Sequence, residues 1–138
     1  MEMTGTIFIV WKDEYRVGHD ELDMHHSRML AIINSLHHAM TTDEVESQLV
    51  SIFQNVLDYG QMHFKVEESI LRKVQYPNLR EHEEMHQAYV QRVTGLMQEH
   101  LATPHSLSLD VLQFLKEWWL NHILKMDKAY APYLGGPK

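Results

Sequence analysis

The sequence predicts an all-α protein, an up-down-up-down four-helix bundle with an N-terminal arm. Three observations lead there. Apolar residues recur at alternating three- and four-residue spacings through four segments. Turn-forming stretches separate the segments: MTTDE (40–44), QYPNL (75–79) and LATPHSLS (101–108). No stretch alternates apolar and polar residues as a half-buried strand does. The 138 residues suffice for one compact domain with a hydrophobic core and are few for two. The expected organisation is one domain over 1–138, with an arm over 1–18, the bundle over 19–130 and a tail over 131–138.

The arm carries Phe8, Trp11 and Tyr15 between Gly5 and Gly18. The first segment places Leu22, His26, Met29, Ile33, Leu36 and Met40 on one stripe, with His25 off it. Thr41 and Glu44 have capping-box spacing and open the second segment. Its stripe runs Leu49, Ile52, Val56, Gly60, His63, Glu67, Ile70, Val74, and Glu68 falls beside it. Pro77 fits the start of the third segment, whose stripe is Leu79, His82, His86, Tyr89, Val93, Leu96. Pro104 ends it. The fourth stripe is Leu112, Leu115, Trp119, His122, Met126, and APYLGGPK is a stop signal.

Each stripe is apolar except for one or two groups of a type that can bind a metal. Height along the bundle is an independent test. With alternating helix directions, the start of the first helix lies level with the end of the second. The start of the third and the end of the fourth lie at that same end. His26 is early in its segment, His63 and Glu67 late, His82 and His86 early, His122 late. Phase puts all six in the core, and height puts them together.

Composition narrows the chemistry. Hydrophobic residues make up 44% and charged residues 22%, ordinary for a globular protein. Twelve basic and 19 acidic side chains give a net charge of −7, without a basic block to bind nucleic acid or an anionic membrane. The absence of Cys rules out disulfides and thiolate metal sites. The short apolar run in TGTIFIVWKDE is neither a signal peptide nor a membrane span, so a cytoplasmic protein is expected. Eleven His in one small chain is the unusual count.

His63/Glu67 and His82/His86 are i,i+4 pairs, with Cβ atoms about 6 Å apart on one helix face. Such pairs are common on exposed faces, and a lone buried His is usually a hydrogen-bonded core residue. Five His and one Glu converging at one level are a different matter. An unpaired buried Glu67 costs several kcal/mol, and no Lys or Arg shares these stripes at that level. A metal is the expected compensation. Asp127 is the least certain member by phase, because five residues after His122 turn the helix by about 140°.

The motifs LDMHH, HFKVEE, YPNLREHEEMH and WWLNHILKMD resemble those of the hemerythrin family, in particular its single-domain bacterial members. The resemblance runs from Trp11 to Leu134 and fills all seven of the family's ligand positions. It implies two iron ions per chain, Fe2+ or Fe3+, with an oxo or hydroxo bridge. Glu67 and Asp127 bridge the metals. His82, His86 and His122 hold one iron, and His26 and His63 the other. Two octahedral irons have twelve positions. These residues and the oxygen bridge fill eleven, leaving one open on the iron with two His. The implied function is reversible O2 binding, end-on as hydroperoxide at that open position, for storage, delivery or sensing. The implied partners are O2 and, in the diferric state, azide and similar small anions. The expected protein is a carrier and not an enzyme, a monomer, without nucleic acid or membrane insertion, serving an unidentified oxygen-consuming client.

By the same resemblance Met29, Phe64, Trp118, Trp119 and Ile123 line the oxygen pocket. The chain departs from the family at Trp119, where Leu is usual, and at Met29, where Leu is common. Plain core packing is the alternative for all five. The arm is expected to pack along the bundle. His37, His38, His100 and His105 read as solvated, and His25 as exposed, with a relay or outer-sphere role as its alternative. The competing function is a di-iron enzyme of peroxidase, nitric-oxide-processing or ferroxidase type. Glu83-x-x-His86 matches the carboxylate-enzyme motif once, with no second match. A structural bundle with an incidental metal ranks last.

Overall fold

A computed structural model describes residues 8–42, 46–102 and 109–134. Glu44, Pro104, His105, Gly5 and the tail beyond 134 lie outside them. After a 3-10 turn (Asp13–Tyr15) come four helices: α1 (Asp20–Thr41), α2 (Glu46–Lys73), α3 (Leu79–Ala102) and α4 (Leu109–Asn121). The chain of α4 continues through a π-helical turn (His122–Asp127), a single α-turn (Lys128–Tyr130) and a 3-10 turn (Ala131–Leu134). No strand occurs among the described residues, and no helix is long and apolar enough to cross a membrane. The predicted four-helix bundle is the observed fold. α2 packs against α1 and α3, and α1 also packs against α4. α3 meets α4 through rings, Tyr89 lying 4.1 Å from Trp118 and 5.4 Å from Trp119 between centroids.

The apolar stripes close into a core, but the core is not continuous. One cluster holds Met29, Ile33, Phe53, Val56, Phe64, Tyr89, Trp119 and Ile123. A smaller one at the other side of the site holds Val17, Leu22, Leu71, Tyr76, Tyr130 and Ala131. His26, Glu67 and Asp127 fall between members of the two clusters along their own elements. A polar layer therefore divides the bundle.

The arm is tied to α1 by side chains. Asn34 accepts from the Ile9 N–H (2.7 Å) and donates to the Ile9 carbonyl (2.8 Å), while Phe8 stacks on His37 at 4.5 Å. The carboxylate of Asp23 accepts from the backbone N–H of Val17 (2.7 Å) and Gly18 (3.2 Å). Gly18 has φ 88°, a left-handed conformation that favours glycine. His19 is the N-cap of α1, its Nδ1 accepting from the Leu22 N–H. Thus Asp23, three residues before His26, fixes the arm and the helix start that carries His26.

The turn between α2 and α3 is equally defined. The Tyr76 N–H reaches back to the Leu71 carbonyl (3.0 Å) and the Gln75 N–H to that of Arg72 (3.1 Å). These are the two bonds of a Schellman ending. Tyr76 and Leu71 pack in the same cluster, as that motif favours. Pro77 lies in the turn, two residues ahead of the α3 start.

Two substitutions test this reading in opposite directions. Gln75 sits at φ 58°, where a Cβ is strained. Gln75→Gly is expected to stabilise the protein by about 0.5–1 kcal/mol, roughly 3 °C in Tm. Gly60 is helical, and a Cβ there would meet Met29 Cε at 3.5 Å, Trp119 Cζ2 at 3.6 Å and Tyr89 Cε2 at 3.7 Å, all ordinary contacts. Gly60→Ala is expected to stabilise by a similar amount, about 0.5–1 kcal/mol, through helix propensity. Thermal melts of both variants check this, and a loss of Tm in either contradicts the local geometry assigned to it.

Candidate metal centre

Five His, one Glu and one Asp from all four helical arms meet in the polar layer. His26, Glu67, Asp127, His63 and His82 are 0% exposed, His86 2% and His122 3%. Their ligand atoms form two groups, each within 4.8 Å. One comprises Glu67, His82, His86 and His122, and the other His26, His63, Glu67 and Asp127.

The carboxylates join the two groups. Glu67 Oε1 faces His82 Nε2 (2.7 Å) and His86 Nε2 (3.1 Å). Its Oε2 faces His63 Nε2 (3.3 Å) and His26 Nε2 (3.5 Å). Asp127 repeats the arrangement. Oδ1 lies 3.1 Å from the Nε2 of both His82 and His122, and Oδ2 lies 3.0 Å from His26 Nε2. Each carboxylate thus has one oxygen toward a three-His set and the other toward a two-His set.

Asp127 reaches this place because the end of the fourth arm is not α-helical. Residues His122–Asp127 form a π turn, whose hydrogen bonds close over five residues instead of four. His122 and Asp127 therefore share a face. An α-helix of 3.6 residues per turn would set them apart.

The side chains behind the site hold it in shape. His86 Nδ1–H donates to Glu68 Oε2 (2.7 Å), so Glu68, off the stripe, acts from outside. The Tyr130 hydroxyl donates to Glu67 Oε2 (2.7 Å). His25 was expected to be exposed and is 5% exposed. Its Nδ1 lies 3.0 Å from His63 Nδ1, and Tyr59 packs its edge against the ring. The packing of α2 on α1 covers it, a lateral contact that a single-helix stripe does not register. His100, expected to be solvated, is 2% exposed. It continues a stripe through Val93 and Met97, whereas Leu96, expected on that stripe, is only half-buried. His38 is exposed, as expected, and His37 is half-buried under Phe8.

The five residues expected to line a pocket lie on the first core cluster. Met29, Phe64, Trp119 and Ile123 are buried and Trp118 is half-buried. Phe64 stacks on His86 (3.8 Å) and Trp118 on His122 (4.4 Å). Trp119 stacks on Phe64 (5.4 Å), stands 6.0 Å from His63 and donates its Nε1–H to the Tyr89 hydroxyl (2.7 Å).

The electrostatics follow from packing charges into a dry layer. Burial lowers the imidazolium range of His26 and His82, but the adjacent carboxylates of Asp127 and Glu67 outweigh it and raise them to about 9 and about 10. Burial raises the carboxyl of Glu67, yet His63, His26 and His82 around it bring it well below its usual value. Asp127 goes the same way against burial and Glu67, through His122 and His26. Burial holds His25 below its ordinary value, with Glu21 partly offsetting.

Among the described residues, the Nε2 atoms of His26 and His63 and both oxygens of Asp127 are buried with no partner in hydrogen-bonding geometry. Such groups are costly in a core unless something coordinates them. Five imidazoles and two carboxylates, with no thiolate available, form a nitrogen–oxygen donor set suited to a pair of first-row metal ions such as iron.

The chain is similar to known proteins along most of its length. The family model described as hemerythrin HHE cation binding domain matches residues 17–134. A bacteriohemerythrin of Stenotrophomonas maltophilia is 30% identical over 123 residues, covering 89% of this chain and 79% of that protein. A hemerythrin-like protein of Naegleria gruberi is 32% identical over 124 residues, covering 90% and 92%. The crystal structure of a wild-type hemerythrin superposes with a TM-score of 0.87 at 28% identity, covering 94% of this chain and 99% of that one.

A linked pH dependence is expected. His26 and His82 hold protons in the folded metal-free chain up to about 9 and about 10, against 6.5 for an ordinary His. Raised values stabilise the fold fully below pH 6.5, and that stabilisation is lost as pH climbs through the folded values. A metal must displace the same protons. Affinity should therefore rise between pH 7 and 9, with a net release of protons on loading near neutrality. Calorimetry in buffers of different ionisation enthalpy checks this, and a heat independent of buffer contradicts it.

Proposed function

The chain belongs to the hemerythrin family, and from that premise and the donor set we propose that it binds dioxygen reversibly at a non-haem di-iron centre. The ligands in this reading are His26, His63, Glu67, His82, His86, His122 and Asp127, with Glu67 and Asp127 bridging. One observation carries it: both carboxylates divide their oxygens between a three-His and a two-His set. When bound, the iron pair supplies the two electrons that dioxygen takes up and returns. The two-His side has fewer protein donors and is the side where the small ligand binds.

The chain's own residues favour binding over turnover. Five neutral imidazoles against two carboxylates leave the centre short of the negative charge that favours high-valent iron. The neighbouring carboxylates are engaged elsewhere. Glu83 pairs with Arg72 (2.8 Å), and Glu68 holds the outer nitrogen of His86. This supports an oxygen carrier, store or sensor over a carboxylate-rich di-iron enzyme. Phe64, Trp119 and Ile123 exclude water beside the site, protecting a reversible complex. Tyr130 holds Glu67 from behind, and Glu68 fixes the tautomer of His86.

An optical spectrum with iron analysis tests this. Two irons per chain, with a visible charge-transfer band that appears with oxygen and vanishes on its removal over repeated cycles, is the expected result. A centre that oxidises once and does not return, releasing hydrogen peroxide or turning over a substrate, is instead an enzyme of peroxidase, nitric-oxide-processing or ferroxidase type.

Trp119 is expected to retard ligand access, since it is fully buried, latched to Tyr89 and beside His63. Stopped-flow binding of oxygen or azide to Trp119→Leu should be faster, about tenfold for each 1.4 kcal/mol removed from the access barrier. Unchanged rates leave Trp119 as packing alone.

A further inference from the structure

We propose that His25 is a positioning residue for the two-His half of the centre, fixing the ring and tautomer of His63 through their Nδ1–Nδ1 contact. The proposal rests on the metal-pair reading above. The contact is 3.0 Å and buried. At that distance one proton lies between the two nitrogens, because two lone pairs or two N–H groups repel. His63 Nε2 faces the interior at Glu67 Oε2 (3.3 Å). To bind a metal, Nε2 must present its lone pair, so the His63 proton sits on Nδ1 and donates to His25 Nδ1. His25 must then carry its own proton on Nε2. That atom points toward Glu21 Oε2, 3.8 Å away on a side chain 53% exposed. The order of protons is set along Glu21, His25 and His63, from the surface inward.

The two halves of the centre are thereby held differently. On the three-His side, the outer nitrogen of His86 donates to a carboxylate, Glu68. On the two-His side, the outer nitrogen of His63 donates to a neutral imidazole. A carboxylate acceptor makes an imidazole a stronger donor than a neutral acceptor does. His25 orients His63 without adding charge, so the metal on its side is the more weakly held of the two. Tyr59, edge-on to His25 at 5.8 Å, keeps the ring in place.

The test is titration of the metal-free protein with Co2+ against a competing chelator, following the visible spectrum and the stoichiometry. The variants are His25→Phe, which keeps a ring without an acceptor, and His25→Asn, whose Oδ1 stands near the place of Nδ1. Wild type is expected to bind two equivalents. His25→Phe should bind the first as wild type does and the second about 10–100-fold more weakly. His25→Asn should recover most of that loss. His25→Leu carries the same expectation as His25→Phe should that variant fail to fold. Two equivalents bound as tightly as in wild type by the Phe or Leu variant overturn the proposal. Equal weakening of both equivalents, or no recovery in His25→Asn, also overturns it and makes His25 a packing residue. Wild type that fails to take two equivalents refutes the metal-pair reading itself, a separate outcome.

Discussion

Two carboxylates in the middle of an apolar bundle govern the rest of the molecule. Glu67 and Asp127 are 0% exposed, and each stays ionised only because imidazoles surround it. An unpaired buried carboxylate costs several kcal/mol, comparable with the whole stability of a small domain. One helix cannot compensate two such groups. The five imidazoles come from all four arms, so helix register, height and rotation are tied to one another at this layer. The division of the apolar core into two clusters follows directly. Among the described residues, the buried carboxylates lie at this one level.

The devices around that layer serve the same constraint. Asp23 binds the backbone of Val17 and Gly18 and so sets where α1 begins, three residues before His26. The Schellman ending of α2 reverses the chain within residues 74–78, bringing His82 back to the level of Glu67. The π turn brings Asp127 round to the face of His122. Tyr130, just beyond it, returns to Glu67 with a hydrogen bond and joins the smaller cluster. Each is local in sequence, and each fixes the direction of a group that meets others far along the chain.

The sequence showed those parts of the site that obey helical periodicity. His26, His63, Glu67, His82, His86 and His122 sit on apolar stripes at one height, and the structure brings them together. Asp127 was not legible by phase, because a π turn has no simple compositional signature, and only resemblance pointed to it. Outer contacts were least visible. Glu68, His25 and Tyr130 act sideways between helices, and a stripe drawn on one helix cannot register a neighbour's side chain. His100 shows another limit. The third stripe runs on through Met97 to His100, while Leu96, one residue away, is only half-buried. The fold was more legible than the site, because periodicity tolerates an error of one residue and a ligand set does not.

The aromatic wall beside the centre carries a conflict that the sequence departures bring out. A reversible oxygen complex lasts only while water and protons are kept away, which favours large, tightly packed rings. Phe64 on His86 and Trp118 on His122 provide this on the three-His side. On the other side stands Trp119, 6.0 Å from His63. Gly60 lies across from it, where a Cβ would meet the indole, Met29 and Tyr89 in ordinary contact. The Tyr89 hydroxyl takes the indole N–H, so the ring is fixed in orientation as well as in volume. Turning that ring away from Tyr89 breaks a buried hydrogen bond. The packing that would protect the bound state therefore also opposes its formation. Under the oxygen-binding reading, protection against water and speed of exchange would be set by the same indole, which is fully buried and latched to Tyr89.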